Sequence, residues 1–227
     1  MSKGELQQVT KYCLASLQTC IEQERAPVNG DEEAALSVRD RWYMALLVTG
    51  VLCLGLAPRS QVLAQLRIGS TLTKHEDDGR YWIQLLAQHN KNGKPTMFAL
   101  PAQLTAAMDH YLEVVRPRLL TAKGGAHDSV FVKRDGSAPR SDYTACTHLV
   151  TQQVLGADRA IGPHSFRSAV ITAFYQAEAT TLSDRECLAD IMAHDVHSAK
   201  AHYNRPIWAE QAIATNDKMA RLLLGQA

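Results

Sequence analysis

Two arginines, two histidines, a lysine and a tyrosine stand along this chain in settings where anion binding, proton transfer and nucleophilic attack are open to them. His164-Ser165-Phe166-Arg167 puts an imidazole and a guanidinium three residues apart, on one face of a helix start. Ala193-His194-Asp195-Val196 follows an apolar helix face of Leu188, Ile191 and Met192, and Tyr203 stands nine residues beyond His194. Upstream, Arg59 heads an amphipathic turn with Val62, Leu63 and Leu66, and Lys91 falls at the tip of an expected hairpin. Singly, each has a plain structural reading. Arg59 reads as a solvated helix-start side chain, Lys91 as an exposed turn lysine, His164 and Arg167 as a surface pair, and Tyr203 as a core-edge ring with its hydroxyl in water.

Cutting a phosphodiester without a metal requires a nucleophile, a charge clamp and a proton donor. A tyrosine hydroxyl, with an ordinary pKa of about 10, is a poor nucleophile at neutral pH and needs a proton acceptor or a strongly positive setting. Arg59 and Arg167 could each hold non-bridging phosphate oxygens through paired N–H bonds. Donors fixed on those oxygens are worth about 3–4 kcal/mol each in the transition state.

In chain order the groups run Arg, hairpin Lys, HxxR, His, Tyr. That order resembles the tyrosine recombinase (phage integrase) family over roughly residues 39–204. Around the first arginine the family's "GLRxSELLxLR" is similar to Gly55-Leu56-Ala57-Pro58-Arg59-Ser60-Gln61-Val62-Leu63-Ala64-Gln65-Leu66-Arg67. Its hairpin lysine and "xxPL" resemble Lys91-Asn92-Gly93-Lys94 followed by Ala99-Leu100-Pro101. "HxLRHxxAT" is matched by His164 through Thr172, and "LGHxxxxTTxxY" by Met192-Ala193-His194 through Tyr203.

There are departures. Ala57 and Pro58 separate Gly55-Leu56 from Arg59, and Val62 replaces an acidic residue. Phe166 stands for Leu, Ser168 for His and Ala193 for Gly, and the segment between Arg167 and His194 is longer than in bacterial enzymes. The "HSFR" wording and this lengthening are more similar to recombinases of eukaryotic mobile elements.

The resemblance implies a site-specific recombinase or integrase that cleaves and rejoins DNA through a 3′-phosphotyrosine on Tyr203. Arg59 and Arg167 would clamp the phosphate, Lys91 would protonate the leaving 5′-oxygen, His164 would help accept the phenol proton and His194 would bond the phosphate. Tyr175 and Tyr143 are the fallback nucleophiles. The expected substrate is double-stranded DNA, handled by a homotetramer on paired sites, with no metal or other cofactor. Arg67, Lys94, Lys133, Arg134 and Arg140 are candidate DNA contacts, and a solvated-surface reading of each stands beside that. Two relatives of this reading stay open: a type IB topoisomerase-like relaxation, and a DNA-binding module that has lost catalysis.

These groups need elements to hold them. Leu6, Val9, Cys13, Leu14, Leu17 and Ile21 recur at helical spacing, and Ser37 could cap a second helix through Trp42, Leu46 and Leu47. Strands are expected over 66–72, 81–86 and 96–100, with turns at Asp77-Asp78-Gly79 and Asn90-Lys91-Asn92-Gly93. Helices are expected over 102–115, 141–154, 165–177, 183–192, 198–203 and 207–224. A short extended piece at 130–132 precedes a turn at Arg134-Asp135-Gly136. The expected fold is mainly α with a small three-stranded antiparallel β-sheet, like a tyrosine recombinase catalytic domain. An N-terminal helix and linker (1–36) would precede the catalytic domain (37–206). A C-terminal helix (207–227) would pack on its own domain or dock on a neighbouring protomer.

Composition sets bounds. Charged residues make up 21% and apolar ones 46% of 227 residues, as in an ordinary globular chain, and the net charge of +1 is not that of a generic DNA coater. DNA contact must then come from local charge. Five scattered cysteines without a CxxC pair read as reduced thiols in the cytoplasm (nucleoid) or nucleus rather than a secreted scaffold. The apolar run 44–56 is too short to span a bilayer and reads as a buried helix. A rival from another class is a metal site at His194, Asp195, His197 and His202, which lacks an identifiable distant ligand.

Overall fold

The computed structural model describes residues 1–24, 33–55, 57–89, 93, 95–120, 126–133, 135–137, 142–177, 180–191 and 205–226. Helix α1 (Lys3–Glu24) opens with a reciprocal cap: Ser2 N–H donates to Glu5 Oε2 (2.7 Å) and Glu5 N–H to Ser2 Oγ (3.2 Å). Its apolar stripe of Leu6, Val9, Cys13 and Leu17 is fully buried against α2 (Glu33–Leu54), α6 (Thr144–Leu155), α7 (Pro163–Tyr175) and α9 (Arg205–Leu224). α2 begins four residues before the expected Ser37 start. It is buried without interruption from Tyr43 to Leu54, so it needs no polar face and forms the spine of the core.

The sheet is antiparallel in the order β1 (Leu72–Lys74), β2 (Tyr81–Leu85), β3 (Thr96–Ala99). Leu72 faces Ile83 across one ladder, and Trp82 faces Ala99 across the other. The turn at Asp77-Asp78-Gly79 forms as expected, with Gly79 at φ 66° and Asp78 Oδ1 accepting the Arg80 N–H.

The first strand differs from the sequence expectation of 66–72. Residues 66–68 pair instead with the segment at 128–130, through Ile68 N–H to Asp128 O (2.8 Å) and Val130 N–H to Leu66 O (3.0 Å). The chain then turns under Thr71, whose Oγ1 accepts the Arg67 N–H at 2.6 Å, before β1 begins. The extended 130–132 piece is thus the partner of an early segment, a pairing no local pattern reveals.

A continuous helix follows. It comprises α4 (Thr105–His110), a π stretch (Tyr111–Val115) and α5 (Arg116–Leu120). The wide turns sit just before Pro117, which has no N–H for the carbonyl four residues back, and they carry the helix past the expected end at 115. α8 (Leu182–Ile191) is capped by Thr181 and Asp184, and Asp184 also binds Lys218 Nζ at 2.5 Å. From Gln211 onward α9 packs on its own chain. Arg80 grips Asp217 through two bonds (2.8 and 3.0 Å), Asn216 Nδ2 donates to Ala99 O, and Gln7 Nε2 reaches Leu222 O at 2.8 Å. The helix expected at 198–203 lies outside the described residues.

One ionic cluster ties three elements. Glu24 Oε1, at the end of α1, accepts from Arg39 and Arg118 (both 2.5 Å), and Arg118 also clasps the buried Asp40. His110 Nε2 lies 2.8 Å from Glu24 Oε2, yet burial outweighs that attraction and holds the imidazole below its usual pKa. No helix of the described residues is long and apolar enough to cross a membrane.

Candidate functional site

α2 ends at Leu54, and the next residue, Gly55, stands where a side chain would be crowded. A Cβ there would lie 2.6 Å from Val51 O and 3.1 Å from Leu100 Cδ2. The chain then turns through Ala57, a non-glycine residue at φ 44°, and reaches Arg59 in extended geometry (φ −63°, ψ 148°) at the N-cap of α3 (Ser60–Ala64). The Arg59 carbonyl accepts from Val62 N–H at 2.8 Å, while its side chain makes no capping bond. Arg59 is half-buried.

α7 approaches from the far side of the sequence. Gly162 is its N-cap and Pro163 its first residue, a favoured place for a ring without an N–H. The loop before it is pinned to α6 by Ile161 N–H donating to Thr151 Oγ1 (3.0 Å). His164 stands exposed in the first turn. Arg167, one turn on, points inward and is only 7% exposed. Its Nη1 donates to Ala57 O at 2.9 Å, across 110 residues of sequence. Its pKa is pushed down to about 10, chiefly by burial and then by the charge of Arg59. Arg167 is thus tied to the loop two residues before Arg59, near enough for the Arg59 charge to lower its pKa, and His164 stands exposed at the start of the same helix.

The other expected residues are placed as follows. Arg67 folds back on α3: Nη1 donates to Ala64 O and Leu66 O (both 3.0 Å), and Nε lies 3.3 Å from Asp128 Oδ1. Lys133 is exposed in a tight turn closed by Gly136 N–H to Lys133 O. Lys91, Lys94, Arg134, Arg140, His194 and Tyr203 lie outside the described residues, as do Asp195, His197 and His202.

Of the fallback tyrosines, Tyr143 is fully buried with its ring edge-on to Phe131. The Tyr175 hydroxyl donates to Arg185 O at 3.3 Å, and the residue sits eight positions beyond Arg167, about 12 Å along the helix. The Tyr175 phenol is thus engaged further along α7 than Arg167.

Sequence reasoning missed Ala57, whose carbonyl holds Arg167. The available signal was the extra Ala57-Pro58 ahead of Arg59.

No family model, curated protein or solved structure matches this chain.

The pair has a chemical meaning of its own. Burying a guanidinium costs free energy, and setting it beside a second cation adds to the cost. An anion seated between them offsets both, and planar forked donors suit the oxygens of a phosphate. Among the described residues no cluster of His, Cys, Asp and Glu could hold a metal ion.

Proposed function

We propose that this chain is a tyrosine-type DNA strand transferase, a site-specific recombinase or integrase that cuts and rejoins double-stranded DNA through a 3′-phosphotyrosine on Tyr203. The observation that supports the reading is the bond from buried Arg167 to Ala57 O, which ties it to the loop that carries Arg59. Resemblance had already singled out both as phosphate ligands, in boxes far apart in sequence. His164 at the exposed start of α7 is in keeping with a proton acceptor beside that clamp. Lys91, His194 and Tyr203 enter the proposal on their motifs. The phosphoryl bond energy is kept in the tyrosyl ester, so rejoining to a 5′-hydroxyl needs no ATP. Action as a tetramer on paired sites, in nucleoid or nucleus, belongs to the same proposal.

The test is a nicked suicide DNA duplex incubated with the protein in excess EDTA and resolved on a denaturing gel. A covalent protein–DNA band is expected for wild type and none for Tyr203→Phe, with DNA binding nearly unchanged. Arg167→Ala should slow band formation by about a hundredfold or more. An adduct from Tyr203→Phe would overturn the choice of nucleophile, and wild-type rates for Arg167→Ala would overturn the clamp.

A further inference from the structure

The loop between α2 and α3 does more than connect. Ala57 is buried and holds φ 44°, a left-handed backbone that a residue with a Cβ adopts only at a cost. Nothing about a simple exit from a helix requires it at a non-glycine. What the turn achieves is directional: it presents the Ala57 carbonyl to Nη1 of Arg167 at 2.9 Å, two residues before Arg59. A Cβ at Gly55 would meet Val51 and Leu100 on one side of Ala57, and the ring of Pro58 fixes its own φ on the other.

Long side chains have many rotamers, and a bond to fixed backbone removes some of them. A backbone carbonyl is a suitable restraint. It carries no net charge, so it directs a cation without neutralising it or competing with an incoming anion as a carboxylate would.

We propose that Ala57 is a positioning residue: its left-handed backbone turns a carbonyl onto Arg167 and keeps that guanidinium assembled with Arg59 before any anion arrives. This rests on the reading of the pair as a phosphate clamp. It assigns a role to a residue by which this chain departs from the family pattern it resembles.

The test uses the full chain with inorganic phosphate as the probe, so that no DNA cleavage is involved. Glycine takes φ 44° without strain, so Ala57→Gly should bind phosphate within about twofold of wild type. Valine resists that conformation, so Ala57→Val should turn the carbonyl away and weaken phosphate binding about tenfold or more. A folded valine variant with wild-type affinity, or a glycine variant as weak as valine, overturns the proposal.

Valine could also unfold the buried turn, so a second measurement is made on wild type labelled with 15N-arginine. Restricted rotation of the Arg167 Nη groups in phosphate-free protein is expected. Freely averaged signals, assigned with Arg167→Lys, overturn the proposal. Restricted signals in a wild type that binds no phosphate would leave the positioning role standing and remove the clamp reading instead.

Discussion

Arg167 must stay charged while almost hidden from water and beside a second cation, and this makes its titration a probe of the site. With its pKa near 10, it remains protonated at neutral pH, and anion binding should fall as pH rises through about 10. Arg59 is one cause of that depression, so Arg59→Met should move the fall-off to higher pH while weakening binding overall. A phosphate titration followed across pH 8–11 checks both, and an unmoved fall-off would separate the two side chains. At ten times its Kd, phosphate should stabilise the wild type by about 1.4 kcal/mol, seen as a raised Tm. Stability has the same sign logic. The folded pKa lies well below that of a free guanidinium, so the cost of holding the cation is fully present below pH 10 and shrinks as pH rises through it. At this scale the sequence was informative for side chains and silent for backbone. Arg59 and Arg167 stood out in the sequence through the order of the motifs that carry them. The Ala57 carbonyl is not, because every residue has one and only the fold decides where it points.

The elements that carry these residues were legible where periodicity is strong. α1, α7 and α9 fall within a few residues of their expected spans because their apolar stripes and boundary residues (Ser2 and Glu5, Pro163) act locally. The misplaced first strand shows the converse. Leu66 and Ile68 have strand-like spacing, but their partner is a segment some sixty residues on, and Thr71 diverts the chain before β2 can be met. The π stretch before Pro117 escaped for a related reason: a proline ordinarily ends a helix, and here widened turns absorb it. The junction of α2 with the Arg59 loop is the tightest of these boundaries. Gly55→Ala would push a Cβ into the Val51 carbonyl and Leu100, so either α2 unwinds at its end or the loop shifts. A loss of about 1–3 kcal/mol is expected in denaturant unfolding. Phosphate affinity should fall with it, because the same shift moves Ala57. Unchanged stability would mean the packing there is looser than the contact distances imply.

Across the whole molecule, α1 is part of the core rather than an appendage to it. It lies against five other helices, and its last residue, Glu24, anchors the ionic cluster with Arg39, Asp40, Arg118 and His110. Sequence alone divided the chain near residue 36. Amphipathic spacing reveals that a helix has a partner, but not which one. Glu24 is mostly buried with two cations on one oxygen, so Glu24→Gln should cost about 3 kcal/mol. For a chain of this size that is a drop of about 6–12 °C in Tm, checked by calorimetry. A neutral result would mean the cluster is redundant with the apolar packing around it. The bond from Gln7 to Leu222 has a mechanical meaning as well. It fastens α1 to α9, so force pulling those two helices apart would load that seam directly.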